Sequence, residues 1–566
     1  MDQPASRVPA IAHGIPLADE PGLGALTLPA FLDEVTTRFA TREALCFHHA
    51  DGRRESWTYA GLADGAMAIA RALVATGAGR DARIGILMTN RPEWVCAFFG
   101  AGLAGGTAVG LSTFSTPEEL AHLIRASGIS HLLLEGQVLA HDFHAALLAL
   151  EPAIATAAPG GLHAPAFPHL RRLVRVDPGA TGGAVESLDA FLVHGAGVPA
   201  ELVRARAASV TPADPGVLFF SSGSTGKPKG ILSAHRGVCI QGWRWKRIYG
   251  LDESVRAWSA NGLFWSGNFA STLAAVLASG GCQVLQRTFD PSQAIRLMEA
   301  ERVNFPYAWP HQWASLEAAP EWQEADLSAM RWLDCGTNLR RPQPTITTTF
   351  RDPRESYGNT EMFTIATSYP CDAPVEPRQG TFGEALPGNT IRVVDPATGQ
   401  TLNRGETGEF ACKGPTLMLG YIGVPRDETL DDQGFYRCGD GGYMDEAGRF
   451  VFQGRINDII KTGGANVSPV EVDWSLCSCP GVKVCKTTGV RHETLGEMVV
   501  SCVVAEAGHA LDEAAIIAWL KQRLASYKVP RRVVFVDEAD LGLTGTAKIR
   551  PDEVRALAAR KLAESA

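Results

Sequence analysis

The sequence predicts an α/β protein, with a large N-terminal domain of layered sheets and helices and a small C-terminal α/β domain. Three observations carry this. The chain has 566 residues, more than one hydrophobic core organises, so two or more domains are expected. From Leu28 to Leu87 strand-like and helix-like patterns alternate, the mark of a layered α/β sheet. Near the C-terminus Ile516, Ile517, Leu520 and Leu524 form a helical stripe. Pro530 closes that segment and Val533 to Val536 reads as a strand, making a small α/β unit of its own.

Taken in order, residues 1–30 are rich in Pro, Gly and Ala and form a lead-in. Leu28 to Phe39 is apolar at helical spacing. Ala44 to Phe47 and Glu55 to Tyr59 read as strands around the turn Asp51-Gly52, Gly61 to Ala75 as a helix, and Arg83 to Leu87 as a strand. Gly100-Ala101-Gly102-Leu103-Ala104-Gly105 matches a dinucleotide fingerprint but continues the helical run Glu93 to Phe99. Close helix packing explains its small residues better than a nucleotide. Between Glu151 and Pro215 the density of Ala, Gly and Pro predicts an exposed connecting region, interrupted by the strand-like Leu173 to Val176. His141 and His144 lack a third partner, and no metal site is assigned to them. Ser233 to Tyr249 reads as a helix with Ser233 as N-cap, Val284-Leu285 as a strand after Gly280-Gly281, and Met330 to Leu333 as another strand.

Composition excludes some functions. A net charge of -9 gives no electrostatic reason to bind nucleic acid or an anionic membrane, and no window is long and apolar enough for a membrane span. Twelve cysteines without a repeating spacing suit a reducing, cytoplasmic compartment, and Cys477, Cys479 and Cys485 lack a complete zinc spacing.

The most informative stretch is Val217 to Gly230. Four apolar residues, Val217 to Phe220, make a buried-strand signal, and a loop follows at once: Ser221, Ser222, Gly223, Ser224, Thr225, Gly226, Lys227, Pro228, Lys229, Gly230. Glycines let backbone N–H groups approach an anion, hydroxyls donate to phosphate oxygens, and lysines supply charge. The common P-loop is excluded, because only two residues separate Gly223 from Gly226 and Pro228 follows the lysine. The run resembles the phosphate loop of the adenylate-forming superfamily of acyl-CoA synthetases, peptide-synthetase adenylation domains and luciferases.

That resemblance continues in order to Lys548. Tyr357-Gly358-Asn359-Thr360-Glu361 is similar to the family's YGxTE, which implies that Tyr357 stacks on adenine, Thr360 bonds the α-phosphate and Glu361 holds Mg²⁺. Gly336-Thr337-Asn338 sits where the family lines the adenine pocket, and a plain turn is the other reading. Tyr436-Arg437-Cys438-Gly439-Asp440 resembles YRTGD, implying that Asp440 accepts from both ribose hydroxyls. Gly454 to Pro469 resembles the junction with a mobile C-terminal domain, implying Arg455 on the nucleotide, Asn457 as hinge in place of the common Asp or Lys, and domains of 1–456 and 457–566. Gly464 matches a glycine lining the CoA passage. Thr544 to Lys548 resembles the terminal lysine loop, with Ala547 replacing its usual glycine.

The reading is an ATP-dependent carboxylic acid–CoA ligase: acid plus ATP gives acyl-AMP and pyrophosphate, then CoA gives acyl-CoA and AMP. Lys548, Thr360 and Glu361 are its expected catalytic groups, with ATP, Mg²⁺ and CoA required. Trp265, where relatives carry histidine, and Trp309 point to an apolar pocket for a fatty or aromatic acid, or are simply core residues. A carrier-protein thiol in place of CoA, and a non-catalytic nucleotide-binding protein, stay open as alternatives.

Overall fold

The computed structural model describes residues 8–221, 228–333, 341, 343–347, 356–369, 373–374, 378, 380–462, 465–506, 508–509, 511–524, 526–541 and 551–564. The expected site residues Ser222 to Lys227, Gly336 to Asn338, Gly464 and Lys548 lie outside them.

Alternation near the N-terminus gives the elements expected of it. The helix Leu28–Arg38 starts where the Thr27 side chain accepts from Ala30 N. Strands Glu43–His48 and Arg54–Thr58 pair antiparallel around the Asp51-Gly52 turn, and Tyr59–Ala75 and Arg83–Leu87 follow as helix and strand. Helix Pro92–Leu103 packs tightly on Tyr59–Ala75. A Cβ on Gly100 would meet Ile69 Cγ2 at 2.9 Å and the Ala66 carbonyl oxygen at 3.0 Å, which is why small residues stand there.

These elements feed an eight-stranded sheet, in the order 185–187, 172–175, 131–134, 83–87, 107–110, 215–221, 229–234, 420–421. Beside it lies a five-stranded sheet, in the order 305–307, 256–259, 282–285, 43–48, 54–58. The largest apolar core joins the two, through side chains such as Phe31, Phe98, Phe219, Trp243 and Phe269. A third sheet of five strands, in the order 11–13, 390–394, 408–413, 436–444, 450–455, is antiparallel throughout. The strand after it, Ile460–Thr462, belongs to the sheet of the C-terminal unit, with strands Ala465–Val467, Gly496–Ala505 and Val482–His492 and the parallel strand Arg532–Phe535. Among the described residues no helix is long and apolar enough to cross a membrane.

Three expectations are corrected. Residues 151–215 are not merely an exposed connection: strands Arg172–Arg175 and Val185–Ser187 extend the eight-stranded sheet, and Leu162, Phe167 and Leu170 are buried beneath them. The glycines and prolines punctuate short elements instead of dissolving them. Ser233 is not an N-cap, because the strand Lys229–Ala234 runs through it. The helix His235–Tyr249 begins after Ala234 with no side-chain cap. Met330 to Leu333 forms no regular strand, although Arg331 N and Trp332 N both donate to the Asn304 carbonyl.

Candidate active site

The phosphate-loop strand Pro215–Ser221 pairs antiparallel with Lys229–Ala234, Ser221 opposite Lys229, so the glycine-rich run connects a hairpin. Strand Gly420–Tyr421 pairs with the second arm, Tyr421 opposite Ile231. This pairing brings Tyr421 to the mouth of the hairpin, where the Lys229 ammonium lies 5.3 Å from its ring centre. The Tyr421 hydroxyl donates to Glu361 Oε1 at 2.6 Å and lies 2.8 Å from the Tyr436 hydroxyl. Burial, reinforced by the Glu361 charge, pushes the Tyr421 hydroxyl well above its ordinary pKa, so it keeps its proton beside the carboxylate.

A second bond joins the same two motifs. The Tyr357 hydroxyl donates to Asp440 Oδ2 at 2.7 Å, while Arg455 Nε lies 3.0 Å from Asp440 Oδ1. Asp440 and Arg455 face each other across neighbouring strands, and Arg455 Nη1 also donates to the Cys438 carbonyl at 2.8 Å. Gly439, at φ 68°, makes the turn in the strand just before Asp440 and donates its N–H to Glu409 Oε1 at 3.0 Å. The Tyr357 ring is 4% exposed and packs against Phe410 and Phe452, so what it displays is its hold on Asp440 and not an open aromatic face.

Glu361 is buried. Its Oε1 takes the Tyr421 hydroxyl, and Oε2 has no hydrogen-bond partner among the described residues. One such hard oxygen, shared with substrate phosphates, fits Mg²⁺, which commonly binds through one or two carboxylates.

Behind Thr360 lies a cavity of roughly 250 Å³, lined by Trp245, Ser266, Gly267, Ser271, Tyr307, Asn359, Thr360 and Thr364. Neither Trp265 nor Trp309 is in this lining. Ser266, next to Trp265, and Tyr307, two positions before Trp309, are. The Trp265 indole N–H is buried without a hydrogen-bond partner among the described residues, and its ring lies 5.6 Å from that of Phe264. Aromatic surface comes instead from Trp245 and Tyr307, and hydroxyls and one amide stand within a lining whose surface is mostly apolar.

Unusual backbone builds this cavity. Ser266 to Ser271 runs into a π-helix over Phe269–Ala274, a wide form found mostly at functional sites. On the opposite wall Phe363 and Thr364 have φ of 49° and 100°, and for a β-branched residue the second is a true outlier costing about 1–3 kcal/mol. The helix His235–Tyr249 holds it: Gln241 Nε2 donates to the carbonyls of Met362 and Ile365, at 3.0 and 2.7 Å, and Trp245 Nε1 donates to Thr364 Oγ1 at 3.0 Å. Gly358 makes room, since a Cβ there would sit 2.1 Å from the Thr364 carbonyl oxygen.

The hinge candidate Asn457 is exposed, between strands Phe450–Arg455 and Ile460–Thr462, and has no left-handed backbone. Beyond it the C-terminal unit touches the third sheet through the Ser468 hydroxyl on the Gln453 carbonyl and the Trp474 ring stacked on Phe382, with centres 5.8 Å apart. The reading of the sequence missed Tyr421, Trp245, Gln241 and Thr364. Tyr421 carries no local signal, whereas the Trp243-x-Trp245 pair and the residues trailing the Glu361 motif were visible but unassigned.

The hairpin of Pro215–Ser221 and Lys229–Ala234, the Tyr421–Glu361 bond and the Tyr357–Asp440–Arg455 network involve the motifs in which the sequence resembles adenylate-forming enzymes. Comparison with known proteins agrees. The model of the AMP-binding enzyme family matches residues 32–422, and that of the AMP-binding enzyme C-terminal domain matches 471–548. The chain belongs to the AMP-binding enzyme family. It is 31% identical over 508 residues to a feruloyl-CoA synthase of Amycolatopsis sp, covering 88% of this chain and 93% of that one. It is 30% identical over 516 residues to an indoleacetate–CoA ligase of Aromatoleum aromaticum, covering 89% and 94%. Its fold is similar to the crystal structure of the anthranilate CoA ligase AuaEII in complex with anthranoyl-AMP, with a TM-score of 0.74, 23% identity and coverage of 97% and 99%. The protein is an acyl-CoA synthetase, an enzyme of ATP-dependent acid–CoA ligation.

Proposed function

We propose that the enzyme activates a fatty or aromatic carboxylic acid in the cavity behind Thr360. The observation carrying this is the convergence on one cleft of Glu361, Thr360 and the phosphate-loop hairpin, with that cavity opening beside them. A carboxylate oxygen attacks the α-phosphorus of ATP, pyrophosphate leaves, and the CoA thiolate then displaces AMP from the acyl carbon. Two approaching anions must be neutralised for the first step.

On this reading Ser222 to Lys227 cradle the phosphates, Thr360 bonds the α-phosphate, and Asp440 takes the ribose hydroxyls with Arg455 and Tyr357 fixing it. Gly336 to Asn338 border adenine, while Tyr357, whose ring is covered by Phe410 and Phe452, acts through Asp440 instead of stacking on the base. Glu361 holds Mg²⁺, which supplies charge neutralisation on the phosphates when bound. Trp265 and Trp309 back the acyl pocket. Residues 1–456 and 457–566 are the two domains, supported by the change of sheet between Arg455 and Ile460. Asn457 is the hinge, Lys548 joins carboxylate to α-phosphate, and Gly464 lines the CoA passage. A cytoplasmic location is supported by buried thiols such as Cys46, Cys96, Cys239, Cys282 and Cys502.

Acid-dependent pyrophosphate release, followed by acyl-CoA formation on adding CoA, tests the reading. ATP binding without pyrophosphate from any acid would end it. Lys548→Ala is expected to slow acyl-AMP formation by roughly 100-fold or more while sparing thioester formation from supplied acyl-AMP. Equal loss of both half-reactions would remove Lys548 from the role given.

A further inference from the structure

The cavity behind Thr360 sets polar groups within a mostly apolar surface. Five of its eight lining residues, Ser266, Ser271, Tyr307, Thr360 and Thr364, carry hydroxyls, and Asn359 adds an amide. Ser271 already donates to the Gly267 carbonyl at 2.7 Å, but methylenes packed against the Thr364 and Ser266 hydroxyls would strip water from them and return no hydrogen bond. Its volume of roughly 250 Å³ has room for a small rigid occupant. Trp245 supplies a flat wall held rigid by its stack on Tyr249, with ring centres 5.0 Å apart and planes 22° apart. Flat and rigid suits an aromatic ring.

One hydroxyl is placed with unusual care. Thr364 Oγ1 accepts the Trp245 indole N–H, which leaves its own proton to donate, and that proton finds no acceptor among the described residues. Its backbone is held at φ 100° by the Gln241 amide on either side and by the space that Gly358 leaves. Strain maintained by that many contacts marks a position that the surroundings over-determine. The Ser266 hydroxyl, on the facing wall and 6% exposed, also has no hydrogen bond among the described residues.

We propose that the acid is a single-ring aromatic acid bearing a hydrogen-bond-accepting substituent, hydroxyl, methoxy or keto, and that the Thr364 hydroxyl reads that substituent. The inference rests on the ligase reading above. Where a site is built to hydrogen-bond a polar group, an analogue lacking the group leaves the site's own donors unpaired, and discrimination is large.

The test is pyrophosphate release by the full-length enzyme with benzoate, 4-hydroxybenzoate, 3-methoxybenzoate, 4-acetylbenzoate and decanoate, compared as kcat/KM. At least one substituted ring is expected to exceed both benzoate and decanoate by roughly 10-fold or more. Thr364→Val should collapse the ratio of substituted to plain benzoate towards one, whereas Thr364→Ser, which keeps the hydroxyl, should retain it. Trp245→Phe, which frees the hydroxyl from its indole partner, should lower the same ratio and serves if the valine variant does not fold. Preference for decanoate or plain benzoate, with pyrophosphate release intact, overturns the inference and leaves the ligase reading standing. No pyrophosphate from any acid overturns both. A ratio unmoved in Thr364→Val and Trp245→Phe removes Thr364 from the role.

Discussion

The wall formed by Glu361, Tyr421, Tyr436, Asp440, Tyr357 and Arg455 and the cavity behind Thr360 share a loop but are built on opposite principles. In the first, every hydroxyl and carboxylate named is tied to a neighbour by a short bond, with ordinary backbone apart from the Gly439 turn. In the second, Ser266 and a threonine at φ 100° carry hydroxyls that donate to nothing among the described residues, beside a π-helix whose Ser271 is tied to the Gly267 carbonyl. The contrast teaches a division of labour. On the proposed reading the nucleotide, the same in every turnover, meets a network tied together but for one Glu361 oxygen, whereas the acid, which distinguishes one enzyme from another, meets groups left with bonding capacity.

That contrast can be broken at several points. The largest expected effect is on stability. His235, first residue of the helix that carries Gln241 and Trp245, accepts the Leu28 N–H on Nδ1, and burial, partly opposed by the Asp214 charge, lowers its pKa from 6.5 to about 4. Its folded pKa lies below the unfolded one, so the stability it contributes is present above pH 6.5 and is lost as pH falls towards 4, up to about 3 kcal/mol. Denaturant unfolding at pH 7 and at pH 4.5 should show this, with a smaller difference between the two pH values in His235→Gln. An unchanged pH slope in that variant would mean that other groups govern the acid limb.

Next comes Asp440→Ala, which removes the acceptor of both Tyr357 and Arg455. We expect kcat/KM for ATP to fall on the order of 100-fold, with the ranking of acids kept. A reordered ranking would mean that the two regions are one. Tyr421→Phe should raise the Mg²⁺ concentration needed for half-maximal pyrophosphate release by roughly 30-fold, as loss of a group orienting a metal-ligating carboxylate does. An unaltered Mg²⁺ dependence would reduce Tyr421 to packing. The smallest effect is expected for Trp265→Ala, about a 10-fold shift in preference towards bulkier acids at constant KM for ATP. If the acid profile stays as it was, Trp265 is a core residue.

Short strings made one region legible. Tyr357, Thr360, Glu361, Asp440 and Arg455 could be picked out because each lies in a run whose chemistry is local: a carboxylate next to a hydroxyl, an aspartate after a glycine turn. Alternating periodicity likewise marked Leu28 to Leu87, since burial on one face leaves its period in the sequence. Ser233 was misread because a serine before an apolar run signals an N-cap unless a partner strand claims its backbone first, as Pro215–Ser221 does.

What the sequence determined by itself is therefore the family's motifs, from the glycine-rich run after Phe220 to Glu361 and Asp440, and the α/β alternation that carries them. What only the tertiary structure decided is who stands beside whom. Tyr421 reaches Glu361 because strand Gly420–Tyr421 pairs with the hairpin some two hundred residues earlier, and Thr364 faces the cavity because Gln241 and Trp245, on a helix over a hundred residues away, hold it where a threonine does not settle unaided. Such contacts leave no local trace, because the free energy that fixes them comes from packing between distant segments and not from the preferences of the residues themselves.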